Sequence, residues 1–178
     1  MRNTCRRYSR PFTAVMVFVL LGLSACASQD QGSRTTGEGL SKTTSQDARG
    51  HYLVVIAGCN DCHTPGFSKS EGTLPESEWL TGDSVGWQGS WGTTYAVNLR
   101  LFMQSYSEEA WLKVSRIFRA RPPMPWWILH QLSESDSRAV YRLIRGLGPK
   151  GERAPASLPP NQKPKTPYIL FVPQLPPN

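Results

Sequence analysis

Two cysteines and a histidine stand together in the run Gly58-Cys59-Asn60-Asp61-Cys62-His63. The C-x-x-C-H spacing sets two thiols three residues apart at a helix end, where they reach the two vinyl groups of a porphyrin and form thioethers. The residue that follows, His63, is then carried beneath the ring with an imidazole nitrogen for the iron. Cys59, Cys62 and His63 are therefore the expected anchors and iron ligand of one covalent haem c. A zinc site needs four ligands. His51, His130 and carboxylates are the other candidates, and there is no second cysteine pair at finger-like spacing. A thioredoxin-like C-x-x-C follows a strand in a βαβ pattern, and no stretch of this sequence alternates that way.

The remaining cysteines have separate explanations. Residues 1–25 read as an export leader, with Arg2, Arg6, Arg7 and Arg10, then an apolar run over 12–23 that is too short to span a bilayer as a helix. The leader ends in Leu23-Ser24-Ala25-Cys26, which looks like a lipobox, so Cys26 is the expected site of a diacylglycerol thioether and of cleavage. Cys5 falls in the discarded segment. The absence of an acidic residue directly after Cys26 leans towards the outer membrane. Four of the 20 basic residues precede the first acidic residue, Asp30, leaving 16 against 13 acidic ones. A processed chain near +3 suits docking on an acidic partner and carries no nucleic-acid footprint.

Four side chains compete for the far side of the iron: Met103, Met124, His51 and His130. Met124 lies in Arg121-Pro122-Pro123-Met124-Pro125-Trp126-Trp127, where flanking prolines fix the backbone around a weak thioether ligand. It is the expected sixth ligand, with Met103 next. Met103 reads as core filler, His51 as a surface residue and His130 as structural.

Residues 26–45 read as a Gly/Ser/Thr-rich tether and 46–148 as the globular domain. Residues 149–178, with nine of the chain's 15 prolines, form an extended tail. Three helices are expected. One runs over 47–58 and ends on Gly58; one opens at Ser107-Glu108-Glu109 with Trp111, Val114 and Phe118 inward; one runs from Ser133 to Leu147 before Gly148-Pro149. Arg138, Arg142 and Arg145 read as the solvated face of the last. With little strand-like alternation, the expected class is all-α: three to five helices around the haem, loop-rich segments and the extended tail. The apolar run over 168–172 is expected to fold back on the domain, or to dock a partner.

Cys59 to Pro65, the run Trp91-Gly92-Thr93-Thr94-Tyr95-Ala96-Val97-Asn98-Leu99, Met124-Pro125-Trp126, and Ser133 to Arg145 together resemble class I mono-haem cytochromes c, especially those serving periplasmic dehydrogenases. The resemblance covers residues 50–148. It implies first and last helices that cross beside the haem and a proline, Pro65, holding the region of the haem histidine. It also implies a haem-edge loop in which Trp91, Tyr95 and Asn98 donate to propionates. The implied function is membrane-tethered electron transfer, not enzymatic catalysis, on the periplasmic side of a bacterial membrane, between a dehydrogenase donor and an oxidase or reductase acceptor. Two alternatives are a haem enzyme or gas sensor with an open or displaceable sixth position, and a dedicated subunit of one dehydrogenase.

Overall fold

The computed structural model describes residues 47–174 and 176. The leader, Cys26 and the tether lie outside the described residues.

Helix α1 (47–56) starts where Asp47 was expected to open it and buries Leu53 and Val54. It crosses α6 (Glu134–Gly146) with almost no space between them: a Cβ on Gly50 would lie 2.4 Å from the carbonyl oxygen of Ala139. Only a residue without a side chain permits that approach. An Arg49–Asp136 ion pair at 2.8 Å flanks the crossing.

Helix α4 (Glu108–Ile117) is capped by Ser107, whose hydroxyl accepts from the Ala110 amide. Ser133 does the same for α6 through the Asp136 amide. Trp111 and Leu112 of α4 and Ala139, Val140, Leu143 and Ile144 of α6 are buried, each large aliphatic side chain contributing about 1.5–3 kcal/mol. The Trp111 indole donates to Ser137 O at 3.0 Å, so the buried ring keeps its hydrogen bond. The face of α6 expected to be merely solvated is tied to α4: Arg138 contacts Glu108, Glu109 and Glu134, and Arg142 contacts Glu108.

Three further helices have no periodicity long enough to announce them: α2 (Cys59–His63), α3 (Leu99–Met103) and α5 (Trp127–Gln131), with 3₁₀ turns at Ser68–Ser70 and Glu76–Glu78. Arg100 of α3 is buried. Its guanidinium donates to Leu147 O, to Gly148 O at 2.6 Å and to Ser77 O at 2.9 Å, closing the C-terminal end of α6.

The expected all-α class is corrected by a three-stranded mixed sheet of order β2-β1-β3. Strands β1 (Gly86–Gly89) and β2 (Gly92–Tyr95) form an antiparallel hairpin closed between Gly89 and Gly92. Strand β3 (Tyr168–Leu170), from the proline-rich segment, lies parallel to β1, pairing Gly86 with Tyr168 and Gln88 with Leu170. The strands escape the sequence pattern because they are short, because β1 and β2 carry Gly86, Gly89 and Gly92, and because β3 comes from a segment whose prolines argue against regular structure. Those prolines lie outside β3 itself. Before β3, Thr93 exchanges both backbone hydrogen bonds with Leu158.

Candidate functional site

Gly58 ends α1 and opens α2. Its φ of 66° is a left-handed conformation in which any side chain is strained, and it turns the chain so that a new helix starts at Cys59. Cys59 and Cys62 are both partly buried and carry free thiols, not a disulfide. Burial, then the Asp61 carboxylate, pushes the Cys59 thiol up to about 11. Cys62 is raised by burial, Asp61 and Asp83. A redox-active C-x-x-C has a lowered thiol pKa; this pair is shifted the opposite way.

His63 is 7% exposed. Its Nδ1 lies 2.7 Å from the carbonyl oxygen of Val97. A carbonyl only accepts, so Nδ1 carries the proton and Nε2 the free lone pair. Among the described residues Nε2 has no hydrogen-bond partner. Burial lowers the imidazole's pKa against the opposing pull of the Val97 contact, which favours the neutral ring that a metal requires.

Backbone and side-chain bonds hold α2 in place around this ring. The His63 carbonyl accepts from Gly82 N at 2.8 Å. The Thr64 hydroxyl donates to Asn60 Oδ1 at 2.7 Å and accepts from Leu80 N at 2.8 Å. Leu80 O in turn accepts from Leu99 N at 3.0 Å. Thus α2 is fastened both to residues 80–82 and to the 97–99 turn. The carbonyl that accepts from the His63 ring is that of Val97, a residue not singled out for this role beforehand. Asn60 and Thr64 were also missed; their positions within and after the motif were the available signal.

The other expected site residues are distributed as follows. The Trp91 indole N–H is buried without a partner, as is the Thr94 hydroxyl. Tyr95 spends its hydroxyl on Thr166 at 2.9 Å. Asn98 caps α3 through Oδ1 and donates its amide to Lys150 O and Glu152 O. Of the three side chains assigned to propionates, Asn98 spends its amide hydrogens elsewhere, while the Trp91 N–H has no partner among the described residues. Met124 is partly buried ahead of α5, in a segment tied to α4 by His130 Nε2 donating to Phe118 O at 2.9 Å. Among the described residues no hydrogen bond links that segment to α2. Met103 is 1% exposed within the core, and His51 is exposed with its ring against Trp79.

The donor chemistry suits a covalent haem better than a bare metal ion. Among the described residues no three His, Cys, Asp or Glu side chains converge as an ion site. The two thiols and Nε2 are unspent, and large apolar side chains stand exposed just before the motif and beside its carbonyl anchor: Val55, Ile56 and Val97. A flat apolar ring bound there would have both attachment points and a surface to cover. An open cavity of about 300 Å³, lined by Gly82, Asp83 and Arg153, borders the loop that accepts α2, and another of about 560 Å³ lies away from it against Asp47 and Arg142.

No protein-family model matches this sequence, and comparison with curated proteins and with solved structures gives no match either.

Proposed function

We propose that this chain is a c-type cytochrome that carries single electrons through one haem, held by Cys59 and Cys62 and ligated by His63 and Met124. One observation carries the reading: a histidine with Nδ1 committed to a carbonyl and Nε2 unspent, on the same short helix as two unbridged thiols. Bound there, a haem supplies a ferric/ferrous couple.

The chain's own residues do the rest. Val97 fixes the tautomer and orientation of His63, the support that outer-shell partners give metal ligands. Burial keeps the imidazole neutral and the thiols protonated until attachment. Val55, Ile56 and Val97 would exclude water from an apolar ring, and Trp91, a haem-edge residue by the resemblance, has an indole N–H without a partner among the described residues. Lipid at Cys26 would hold the domain on the periplasmic face of a bacterial membrane, within reach of a dehydrogenase donor and an oxidase or reductase acceptor.

The test is a spectrum of the full chain exported with the host's haem-attachment machinery. The expected result is a c-type pyridine haemochrome, abolished in Cys59→Ser/Cys62→Ser, with a ferric Met–iron charge-transfer band that disappears in Met124→Ala. A five-coordinate ferrous form that binds carbon monoxide without displacing a ligand would overturn the carrier assignment and favour a gas-binding role.

A further inference from the structure

The residues of 168–172, Tyr-Ile-Leu-Phe-Val, are each between 41% and 64% exposed. Side chains alternate faces along a strand, so here both faces of one ribbon present apolar groups to solvent. Only one edge of β3 is paired, with β1, while the other edge has no strand partner among the described residues. Pro167 and Pro173 bracket the run, and Phe171 rests its ring against Trp91 at 5.8 Å and Trp87 at 6.5 Å, which props the ribbon on the hairpin. An apolar stretch of this kind, left uncovered by its own fold, marks a contact surface.

The charge around it selects the occupant. From Arg153 onward the sequence holds three basic residues, Arg153, Lys163 and Lys165, and no acidic one. Lys163 and Lys165 are exposed immediately before the ribbon. Cationic lysines beside Tyr, Phe and branched aliphatics are the composition of a segment that lies at a membrane–water interface, with lysine stems along the apolar surface and their heads among anionic headgroups. A rigid protein surface covers one face of a ribbon, whereas a fluid headgroup layer surrounds both. Water at that depth also satisfies the free edge, which the hydrocarbon core would not. Among the described residues no helix is long and apolar enough to cross a membrane, so the contact is interfacial.

We infer that residues 163–172 dock the domain on an anionic phospholipid bilayer, through an apolar ribbon flanked by Lys163 and Lys165. This contact is separate from any lipid on Cys26: the acyl chain would hold the protein near a membrane, and the ribbon would orient it there.

The test uses the full chain with a nitroxide attached at Leu170→Cys, and a control label at the exposed Lys113→Cys, in vesicles containing phosphatidylglycerol or in phosphatidylcholine alone. Expected in the anionic vesicles is a label at 170 that loses collisions with a water-soluble nickel chelate and gains them with oxygen, while the label at 113 keeps both. Lys163→Glu/Lys165→Glu should abolish that protection, and so should pure phosphatidylcholine. A label at 170 as open to nickel as that at 113 in anionic vesicles would overturn the proposal. So would protection that appears without vesicles and grows with protein concentration, which would mean that a second copy covers the ribbon. Loss of acylation changes how much protein sediments with neutral vesicles and leaves the depth at 170 as a separate readout.

Discussion

Nδ1 of His63 donates a proton to the carbonyl oxygen of Val97, 34 residues further along the chain. That contact ties the ring of the cysteine-bearing helix to the turn between β2 and α3, and it commits the imidazole to one tautomer. Nitrogen-15 NMR of the Cys59→Ser/Cys62→Ser chain is expected to show His63 as the neutral Nδ1–H form at pH 7. An Nε2–H signal would contradict the arrangement.

The crossing of α1 and α6 depends on Gly50. A methyl there would stand 2.4 Å from Ala139 O and 3.0 Å from Leu143 Cβ, and neither can yield without moving a helix. Gly50→Val should therefore cost about 1–3 kcal/mol, read as a lowered midpoint in thermal or urea unfolding. An unchanged midpoint would show that the helices part easily.

Arg100 satisfies three carbonyls with one buried guanidinium. Arg100→Leu keeps the bulk of the stem and leaves Leu147 O and Gly148 O without their donor, while Ser77 O keeps Lys150 Nζ at 3.1 Å. The expected loss is about 2–3 kcal/mol, with faster amide hydrogen exchange in the last turn of α6. Arg100→Lys, which cannot fork, should recover only part of it.

Acid should weaken the joint between α4 and α6. Glu108 is held below the usual carboxylate range by hydrogen bonds from Arg142, then Arg138; Glu134 is lowered by Arg138 and Asp136 by Arg49. A carboxyl whose pKa is lower in the folded chain contributes its full stabilisation above its unfolded pKa. That contribution drains away as pH falls through the folded value. Unfolding midpoints are thus expected to drop between about pH 5 and pH 2, with a shallower slope in Glu108→Gln. Equal slopes in the two proteins would remove Glu108 from the explanation.

How much of this could be read beforehand depends on the kind of signal each part leaves. Helices α1, α4 and α6 were legible from caps and 3.6-residue spacing, because Ser107, Ser133 and Gly58 act through local geometry. The grouping of Cys59, Cys62 and His63 was legible because it is a matter of chain distance. The partner of His63 was not: it is a backbone carbonyl, which every residue owns, so no side-chain pattern marks Val97. Strand β3 was hidden for a different reason. A parallel partner is specified by distant residues, and three side chains that all stay exposed leave no alternation to detect. Asn98 shows a third kind of failure, since its polar group was foreseen as important while its partners, Lys150 and Glu152, lie in the segment set apart as a tail.

Because β3 pairs in parallel with β1, the sheet cannot close until the residues around Tyr168 have been made and delivered. Cys59 and Cys62 lie far ahead of that strand in the chain. The pairing of distant segments is also the slow part of folding, since a long loop must close before any contact rewards it. The topology thus builds in an interval during which the helix of Cys59–His63 can form while the sheet is still open. Pairing of β3 then covers the edge of β1 and completes the sheet.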